Sequence, residues 1–249
     1  MSGGVGPTAK DIGLPSCGDE DRVALPGHTP HRRFASFRQL NALALSVVLA
    51  ASGMVAAIDI AFALLTLPYI LFLSRFAFPT LRPGGSPDPP VFDFAKKLLA
   101  AYVTVGAVLG LLLPIAYILD GIMEGDKEGV KAAAPHVFLL ASQVFMEGIT
   151  FSSRFSLPVR AFVPVFYNAR RMLTISDWMR DEMGKEAATG DGNGCAMRLL
   201  AGRALAVANL AFWAFNLFGF LLPVYLPRAL HRYYRIYHYI KGGNATQVL

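Results

Sequence analysis

Cysteine and charged residues are scarce in this chain of 249 residues. The two cysteines, Cys17 and Cys195, lie far apart in polar stretches, which excludes a disulfide framework or a paired-cysteine metal motif, and we expect both to be free thiols. Charged residues make up only 16% of the chain, against about 25% in a typical soluble domain. Hydrophobic residues make up 54%. This composition excludes a disordered chain and disfavours an ordinary soluble domain.

Sequence motifs of the common enzyme classes are also missing. The chain contains no HExxH, GxSxG, P-loop or dinucleotide-binding GxGxxG motif, and no cluster of cysteine and histidine. We therefore predict a non-enzymatic protein without cofactor or metal. The net charge of +6 does not indicate a nucleic-acid partner, because the cations gather between apolar segments, as they do in membrane proteins.

The arrangement of apolar segments predicts a membrane protein. Residues 1–39 are polar and contain several prolines and glycines; we expect a disordered tail, without the short apolar region of a secretory signal peptide. Each later apolar segment approaches the roughly 20 residues that a membrane helix needs. Residues 40–226 are thus predicted to form an all-α integral membrane helical bundle, followed by a basic aromatic tail at 227–249. The five predicted spans are about 40–57, 60–76, 98–119, 135–151 and 204–226.

The distribution of lysine and arginine predicts the orientation. Five spans with a cytoplasmic N-terminus place 17 of these cations inside and 6 outside, whereas four spans give 11 against 12. The positive-inside rule favours the first arrangement. It leaves the four cations after residue 226, and the glycosylation sequon at Asn244, on the outside. We expect the endomembrane system or the plasma membrane as the location, with the lipid bilayer itself as one partner.

The connection 152–203 is expected to lie on the cytoplasmic side. Between Arg170 and Met183, apolar and charged residues alternate at helical spacing, which predicts an amphipathic helix. A basic helix with one tryptophan is typical of helices that lie on lipid headgroups. The alternative is a docking helix for a membrane or cytoplasmic protein.

A line of polar residues marks the fourth span. His136, Gln143, Glu147 and Arg154 are separated by 7, 4 and 7 residues, so that on one helix they stay within about 20° of a line. One interpretation is a proton or cation site built on Glu147. The other is hydrogen bonding between helices, with a boundary ion pair of Glu147 and Arg154.

Three other polar residues lie within or between the spans. Asn209 and Asn216, seven residues apart in the fifth span, could meet Gln143. Asp59 separates the first two spans and is expected to cap the helix that follows a tight turn. The alternative for Asp59 is a pair with His136 on the outer side.

Proline and glycine predict local features of the helices. Pro68, Pro114 and Pro223 are expected to kink their spans, because each removes the hydrogen bond to the carbonyl four residues earlier. Gly106 and Gly110 form a GxxxG pattern, which we interpret as helix packing within the chain.

Several segments resemble a known family. The segments at 135–140, 145–148, 154–158 and 162–168, with Asp59-Ile60-Ala61-Phe62 earlier, are similar to a plant family of uncharacterised multi-pass membrane proteins. The resemblance covers about 37–178. It implies an integral membrane protein of plant type, and it implies no activity and no active-site residues.

Two functions are compatible with these features. The favoured one is a non-enzymatic membrane scaffold or assembly factor whose 152–203 region contacts a protein partner or lipid. The alternative is a small-solute, proton or ion transporter or channel that uses the polar stripe of the fourth span.

Overall fold

The structure is a computed structural model that describes residues 36–81, 96–151, 154–185 and 193–245. These residues form helices and turns without a strand, so the predicted all-α bundle is confirmed. The predicted disordered tail lies almost wholly outside the described residues. Of the predicted C-terminal tail, most is helical.

Eight α-helices account for most of the described chain. The first begins with a capping box, in which Ser36 and Gln39 bond each other's backbone N–H groups. The α-helices are α1 (Phe37–Ala51), α2 (Ala57–Phe72), α3 (Lys96–Ala107), α4 (Leu113–Glu124), α5 (Lys127–Thr150), α6 (Leu157–Gly184), α7 (Asn193–Ala214) and α8 (Leu226–Ala245).

Three π-helical segments interrupt the long helices near the prolines that were expected to disturb them. Proline has no N–H group, so the turn around it can widen to hydrogen bonds of the i→i+5 type. The segment π1 (Leu73–Ala77) follows Pro68, π2 (Val108–Leu112) precedes Pro114, and π3 (Phe215–Tyr225) contains Pro223.

Four helical segments in the described residues are long and apolar enough to cross a membrane. They are Ala57–Ala77, Ala100–Glu124, Lys127–Thr150 and Ala196–Lys241. They correspond to four of the five predicted spans. The remaining predicted span, 40–57, overlaps the shorter apolar helix α1, which begins at Phe37 and ends at Ala51.

The segment expected to lie on the membrane surface is buried instead. Helix α6 has 28 residues, and Arg171, Ile175 and Trp178 are each 0% exposed. Gln143 contacts Arg171, and seven residues earlier on α5 His136 stacks on Trp178, so the two helices run antiparallel. The prediction of a headgroup-bound helix was therefore wrong. Helices α5 and α7 pack against α6 and shield its buried polar groups.

Large apolar side chains cover much of the outer surface of the bundle. Leu64, Phe72, Leu112 and Phe218 are all more than half exposed. A soluble monomer rarely exposes so much contiguous apolar surface. Polar groups inside and apolar groups outside are the arrangement that a lipid environment favours.

Side-chain contacts define the two ends of the bundle. At one end, Tyr233 of α8 donates to the Pro79 carbonyl after π1, and Ser156 before α6 donates to Phe78. Gln39 of α1 lies against Gly148 near the end of α5. We call this the α8 end. At the other end, the α4–α5 end, Arg198 of α7 binds Asp120 and Asp126.

Candidate functional site

The predicted polar stripe forms only in part. His136, Gln143 and Glu147 lie on α5, and the first two are buried. Arg154 lies beyond the end of α5 at Thr150 and is exposed. Because the helix stops, the spacing that would align Arg154 with Glu147 no longer applies. In the described residues the ion pair of Glu147 and Arg154 does not form.

Gln143 links two charged groups across the interface of α5 and α6. Its amide Nε2 donates to Glu147 Oε1 over 2.7 Å, and its Oε1 accepts from the guanidinium of Arg171. The Arg171 guanidinium carbon also lies 4.1 Å from the centre of the Trp213 ring on α7. A cation over an indole face is favourable, and more so where water is excluded. The amide thus connects a buried cation to a carboxylate without direct contact between them.

Arg171 was missed by the sequence analysis, although a signal for it exists. Tyr167, Arg171, Ile175, Trp178 and Glu182 recur at spacings of 3 or 4 and are all buried. Arg171 therefore shares the apolar face that was assigned to lipid. Its charge was taken as a sign of exposure, whereas an arginine can be buried where part of its guanidinium finds partners, here the Gln143 amide and the Trp213 ring.

His136 satisfies a carbonyl that Pro114 leaves without an α-helical partner. Proline cannot donate to the carbonyl of Gly110, and His136 Nε2 lies 2.9 Å from that oxygen. Since a carbonyl only accepts, Nε2 must carry the proton. The sequence analysis noted this histidine and this carbonyl separately. The structure joins them as one contact between α5 and π2.

Asn209 serves the neighbouring carbonyl in the same way. In the π-helical pattern, the N–H of Leu113 donates to the carbonyl of Val108. It therefore does not donate to the carbonyl of Leu109, which would be its partner in a regular α-helix. Asn209 Nδ2 of α7 donates to the Leu109 oxygen over 3.0 Å. Asn209 Oδ1 in turn accepts from Trp213 Nε1 over 3.2 Å.

The other buried amides also connect helices. Asn168 of α6 donates to the Trp213 carbonyl over 3.2 Å, just before π3. Asn216 accepts from the Tyr102 hydroxyl over 2.7 Å. In the described residues neither Asn209 nor Asn216 bonds Gln143. The side-chain amide of Gln143 is instead hydrogen-bonded to Arg171 and Glu147.

Asp59 pairs with a residue that was not considered for it. The turn between the first two helices falls at 52–56, so Asp59 lies inside the first turn of α2 and makes no capping bond. Its Oδ1 accepts from Arg170 Nε over 2.7 Å, and the carboxylate side chain is 3% exposed. The predicted cap and the alternative pair with His136 were both wrong. The ion pair instead ties α2 to α6.

A second polar cluster joins four helices at the α4–α5 end. Glu182 is 0% exposed; its Oε1 accepts from the Tyr117 hydroxyl over 2.9 Å and from Lys185 over 2.7 Å. Arg198 contacts Asp120 at 2.5 Å and Asp126 at 3.0 Å. Glycines make room for these groups: a Cβ on Gly202 would lie 2.7 Å from the Tyr117 hydroxyl.

Asp126 in this cluster also caps α5. Its Oδ1 accepts from the Gly129 N–H over 2.8 Å. Burial by itself raises the pKa of the Asp126 carboxyl, but the hydrogen bonds from Gly129 and Arg198 outweigh that effect and hold the pKa below its ordinary value. Asp126 is therefore a carboxylate at neutral pH, with its charge compensated.

A groove opens beside Glu147 at the α8 end. It has a volume of about 210 Å³, and apolar side chains form most of its wall. Its polar lining groups are Glu147, Arg160 and Tyr225. Among the described residues no group of three or more histidine, cysteine, aspartate or glutamate residues could hold a metal ion.

Comparison with known proteins places the chain in a family. The model of a domain of unknown function, DUF7733, matches residues 35–234. That range covers most of the 249 residues, so the chain belongs to this family. The described helices from α1 to α7 and the first part of α8, up to residue 234, lie within the match. No curated protein and no solved structure matches the chain.

Proposed function

We propose that this protein is a non-enzymatic membrane scaffold or assembly factor. One observation carries the proposal: three buried polar side chains of the candidate site bond backbone groups of neighbouring helices. His136 and Asn209 each donate to a carbonyl within π2, and Asn168 donates to a carbonyl just before π3. Side chains used in this way stabilise one arrangement of helices. The plant-type origin that the resemblance implies, and the endomembrane or plasma membrane location, belong to the same proposal.

The charge distribution supports an orientation with the α8 end in the cytoplasm. Among the described residues, this end has ten lysines and arginines and one carboxylate, Glu147. The α4–α5 end has six lysines and arginines and seven carboxylates. Cations near the ends of spans favour the cytoplasmic side. In this orientation both α1 and α8 meet the cytoplasm, and the cations of the C-terminal segment lie inside.

The surface proposed for a protein partner is narrower than the whole 152–203 region, because α6 is buried. The exposed strip of α6 consists of Leu173, Asp177, Arg180 and Met183, which recur at spacings of 3 or 4. The side chains of Asp177 and Arg180 are 64% and 75% exposed. A partner helix or loop could contact this strip without disturbing the bundle.

Proximity labelling in native membranes tests the scaffold. A biotin ligase inserted into the full chain between α6 and α7, at the α4–α5 end where Asp177 and Arg180 lie, is compared in the wild type, in Glu147→Gln and in Asp177→Lys/Arg180→Glu. We expect a stable set of neighbours, unchanged within about twofold in Glu147→Gln, since an amide keeps the shape of the side chain and can still bond Gln143. The double variant should lose neighbours at normal protein abundance. An absence of stable neighbours in the wild type would contradict the scaffold.

A transport function is the second candidate, and two observations favour it. Glu147 lines an open groove, and Arg171 behind it has two buried donors, Nε and Nη1, without hydrogen-bond partners in the described chain. Ionisable groups inside a membrane protein often lie on proton or ion pathways.

Flux measurements separate the two functions. The purified protein is reconstituted in liposomes that contain a pH-sensitive dye, and a potassium diffusion potential drives proton movement. The scaffold predicts the same proton flux as in protein-free liposomes. A protein-dependent flux that is lost in Glu147→Gln, with the variant still folded, would instead support transport.

A further inference from the structure

The last helix carries an unusual concentration of positive charge. No aspartate or glutamate occurs in the chain after Asp191, whereas α8 contains Arg228, Arg232, Arg235 and Lys241. Elsewhere in the described chain, two arginines have acidic partners on other helices or connections: Arg170 binds Asp59, and Arg198 binds three carboxylates. The sequence of α8 therefore presents cations without carboxylates on the same helix.

Packing directs this charge outward. Ala229 and Tyr233 are 0% and 6% exposed and face the bundle, and the Tyr233 hydroxyl donates to the Pro79 carbonyl over 3.0 Å. Arg228, His231 and Arg235 follow one another at spacings of 3 and 4, and they are exposed. At about 100° per residue they share one side of α8.

These residues line a groove of their own. It has a volume of about 420 Å³, and its walls are Pro227, Arg228, His231, Arg232 and Arg235. Of the five described residues that line it, four are basic and none is acidic. An anion in the groove would therefore meet several cationic donors.

The length of the continuous helix places α8 at the membrane surface. The segment Ala196–Lys241 has 46 residues, or about 69 Å at 1.5 Å per residue, against a hydrocarbon core of about 30 Å. Its apolar part ends at Leu226, directly before the arginines. The exposed tyrosines Tyr234, Tyr237 and Tyr239 are typical of the interface between lipid and water.

We propose that the α8 groove binds the phosphorylated headgroup of an anionic lipid in the adjoining leaflet. The planar guanidinium groups of arginine can donate two parallel hydrogen bonds to phosphate oxygens. Basic clusters directly beside a membrane helix attract anionic lipids, each cation adding to the affinity. A phosphatidylcholine headgroup fits less well, since its own ammonium group meets the same cations. The proposal does not depend on the scaffold function.

Lipid retention by the full-length protein tests this site. The protein is reconstituted in nanodiscs of phosphatidylcholine with and without phosphatidic acid, then released in detergent, and native mass spectrometry counts the bound phosphatidic acid. The test variant is Arg228→Gln/Arg232→Gln/Arg235→Gln. The control, Lys127→Gln/Lys131→Gln/Arg180→Gln, removes three exposed cations from the α4–α5 end. Each lost groove arginine should weaken retention about fivefold, or about 1 kcal/mol, while the control matches the wild type.

Three further arms make the result decisive. The single variants Arg228→Gln and Arg235→Gln change exposed residues and are measured beside the triple variant, so a folding defect in the triple variant does not remove the test. Replacement of the three arginines by lysine should keep most of the retention, because the charge remains. Inorganic phosphate serves as a soluble competitor. Equal retention in the groove and control variants would overturn the proposal, and so would saturable phosphate binding without preference for phosphatidic acid.

Discussion

Gly110 lies where the π-helical segment π2 meets α5 and α7. A Cβ atom at this position would lie 2.6 Å from Cζ2 of Trp213, and the carbonyl of the same residue accepts from His136. The neighbouring glycine of the GxxxG pattern, Gly106, faces Phe212 at 3.2 Å. The glycines therefore pack against α7 of the same chain, in agreement with the interpretation of this pattern as internal packing.

Gly110→Ala should destabilise the protein by about 1 to 3 kcal/mol, because the indole of Trp213 is confined and cannot move aside without strain. Thermal unfolding of the purified protein in detergent measures the change. Gly184→Ala is the control, since no atom lies within 4 Å of a Cβ at that position. Equal unfolding temperatures for the two variants would contradict the close packing.

The partners of individual polar residues could be predicted only in part. The freed carbonyl of Gly110 follows from the position of Pro114, and the interior location of His136 follows from its apolar surroundings. Their contact depends on how far α5 is shifted along π2, and no local pattern specifies that shift. The same is true of Asp59 and Arg170, which lie 111 residues apart in the chain.

The ion pair of Asp59 and Arg170 should contribute to the docking of α2 on α6. Asp59→Asn leaves the guanidinium of Arg170 without its carboxylate, and a partly buried pair broken in this way costs about 2 to 3 kcal/mol. A double-mutant cycle with Arg170→Gln should give a coupling energy of about 1 to 2 kcal/mol. Denaturant unfolding in detergent provides the free energies of unfolding of the wild type, the two single variants and the double variant.

The exposed pair of Asp177 and Arg180 is the matched control for this cycle. Both side chains are more than half exposed, so water screens their attraction and the coupling should be under about 1 kcal/mol. A coupling for Asp59 and Arg170 no larger than that of the control would show that burial does not strengthen the pair.

The N-terminus of α5 should be sensitive to pH through Asp126. Its pKa is lower in the folded protein than the ordinary value of about 3.9. The charged form is therefore favoured by folding: its contribution is complete above the ordinary pKa and is lost as the pH falls through the lower folded value. Asp126→Asn keeps a capping oxygen but removes the charge that pairs with Arg198 and with the N-terminus of α5, and it should cost about 1 kcal/mol at neutral pH.

This cost should shrink in acid, because the wild type also loses the carboxylate there. The free energy of unfolding of wild type and variant in detergent is measured from neutral pH to below the ordinary pKa of an aspartate carboxyl, and this checks the trend. A difference that stays constant over the whole range would mean that the charge of Asp126 is not involved.

Helices were easier to predict than their surroundings. Long apolar runs such as those in α2 and π3 can be recognised in the sequence as helices of a membrane or a core, because both environments require apolar residues at nearly every position. Helix α6 was misjudged since its pattern of alternating charge is also that of a surface helix. Whether its apolar face contacts lipid or other helices depends on what surrounds it.

At the scale of the whole molecule, the described chain begins and ends at the same end of the bundle. We expect single cysteines at Arg38→Cys and Lys241→Cys to react with an impermeant thiol reagent from the cytoplasmic side. A cysteine at Lys127→Cys should react from the opposite side. The background is Cys17→Ser/Cys195→Ser, so that each variant has one thiol. Labelling of positions 38 and 241 from opposite sides would contradict the arrangement.

The amino-acid sequence by itself determined the helical class, the membrane-like composition and the positions at which proline disturbs a helix, since these depend on local hydropathy and on the missing N–H group of proline. Only the tertiary structure decided that α6 is buried and that Arg171 reaches Glu147 through Gln143. It also decided that α1 begins at the same end of the bundle as α8. These features arise from contacts between residues far apart in the chain, where the fit of whole helices selects the partners. The scarcity of charge was therefore informative about the environment, while the placement of the few charges depended on the fold.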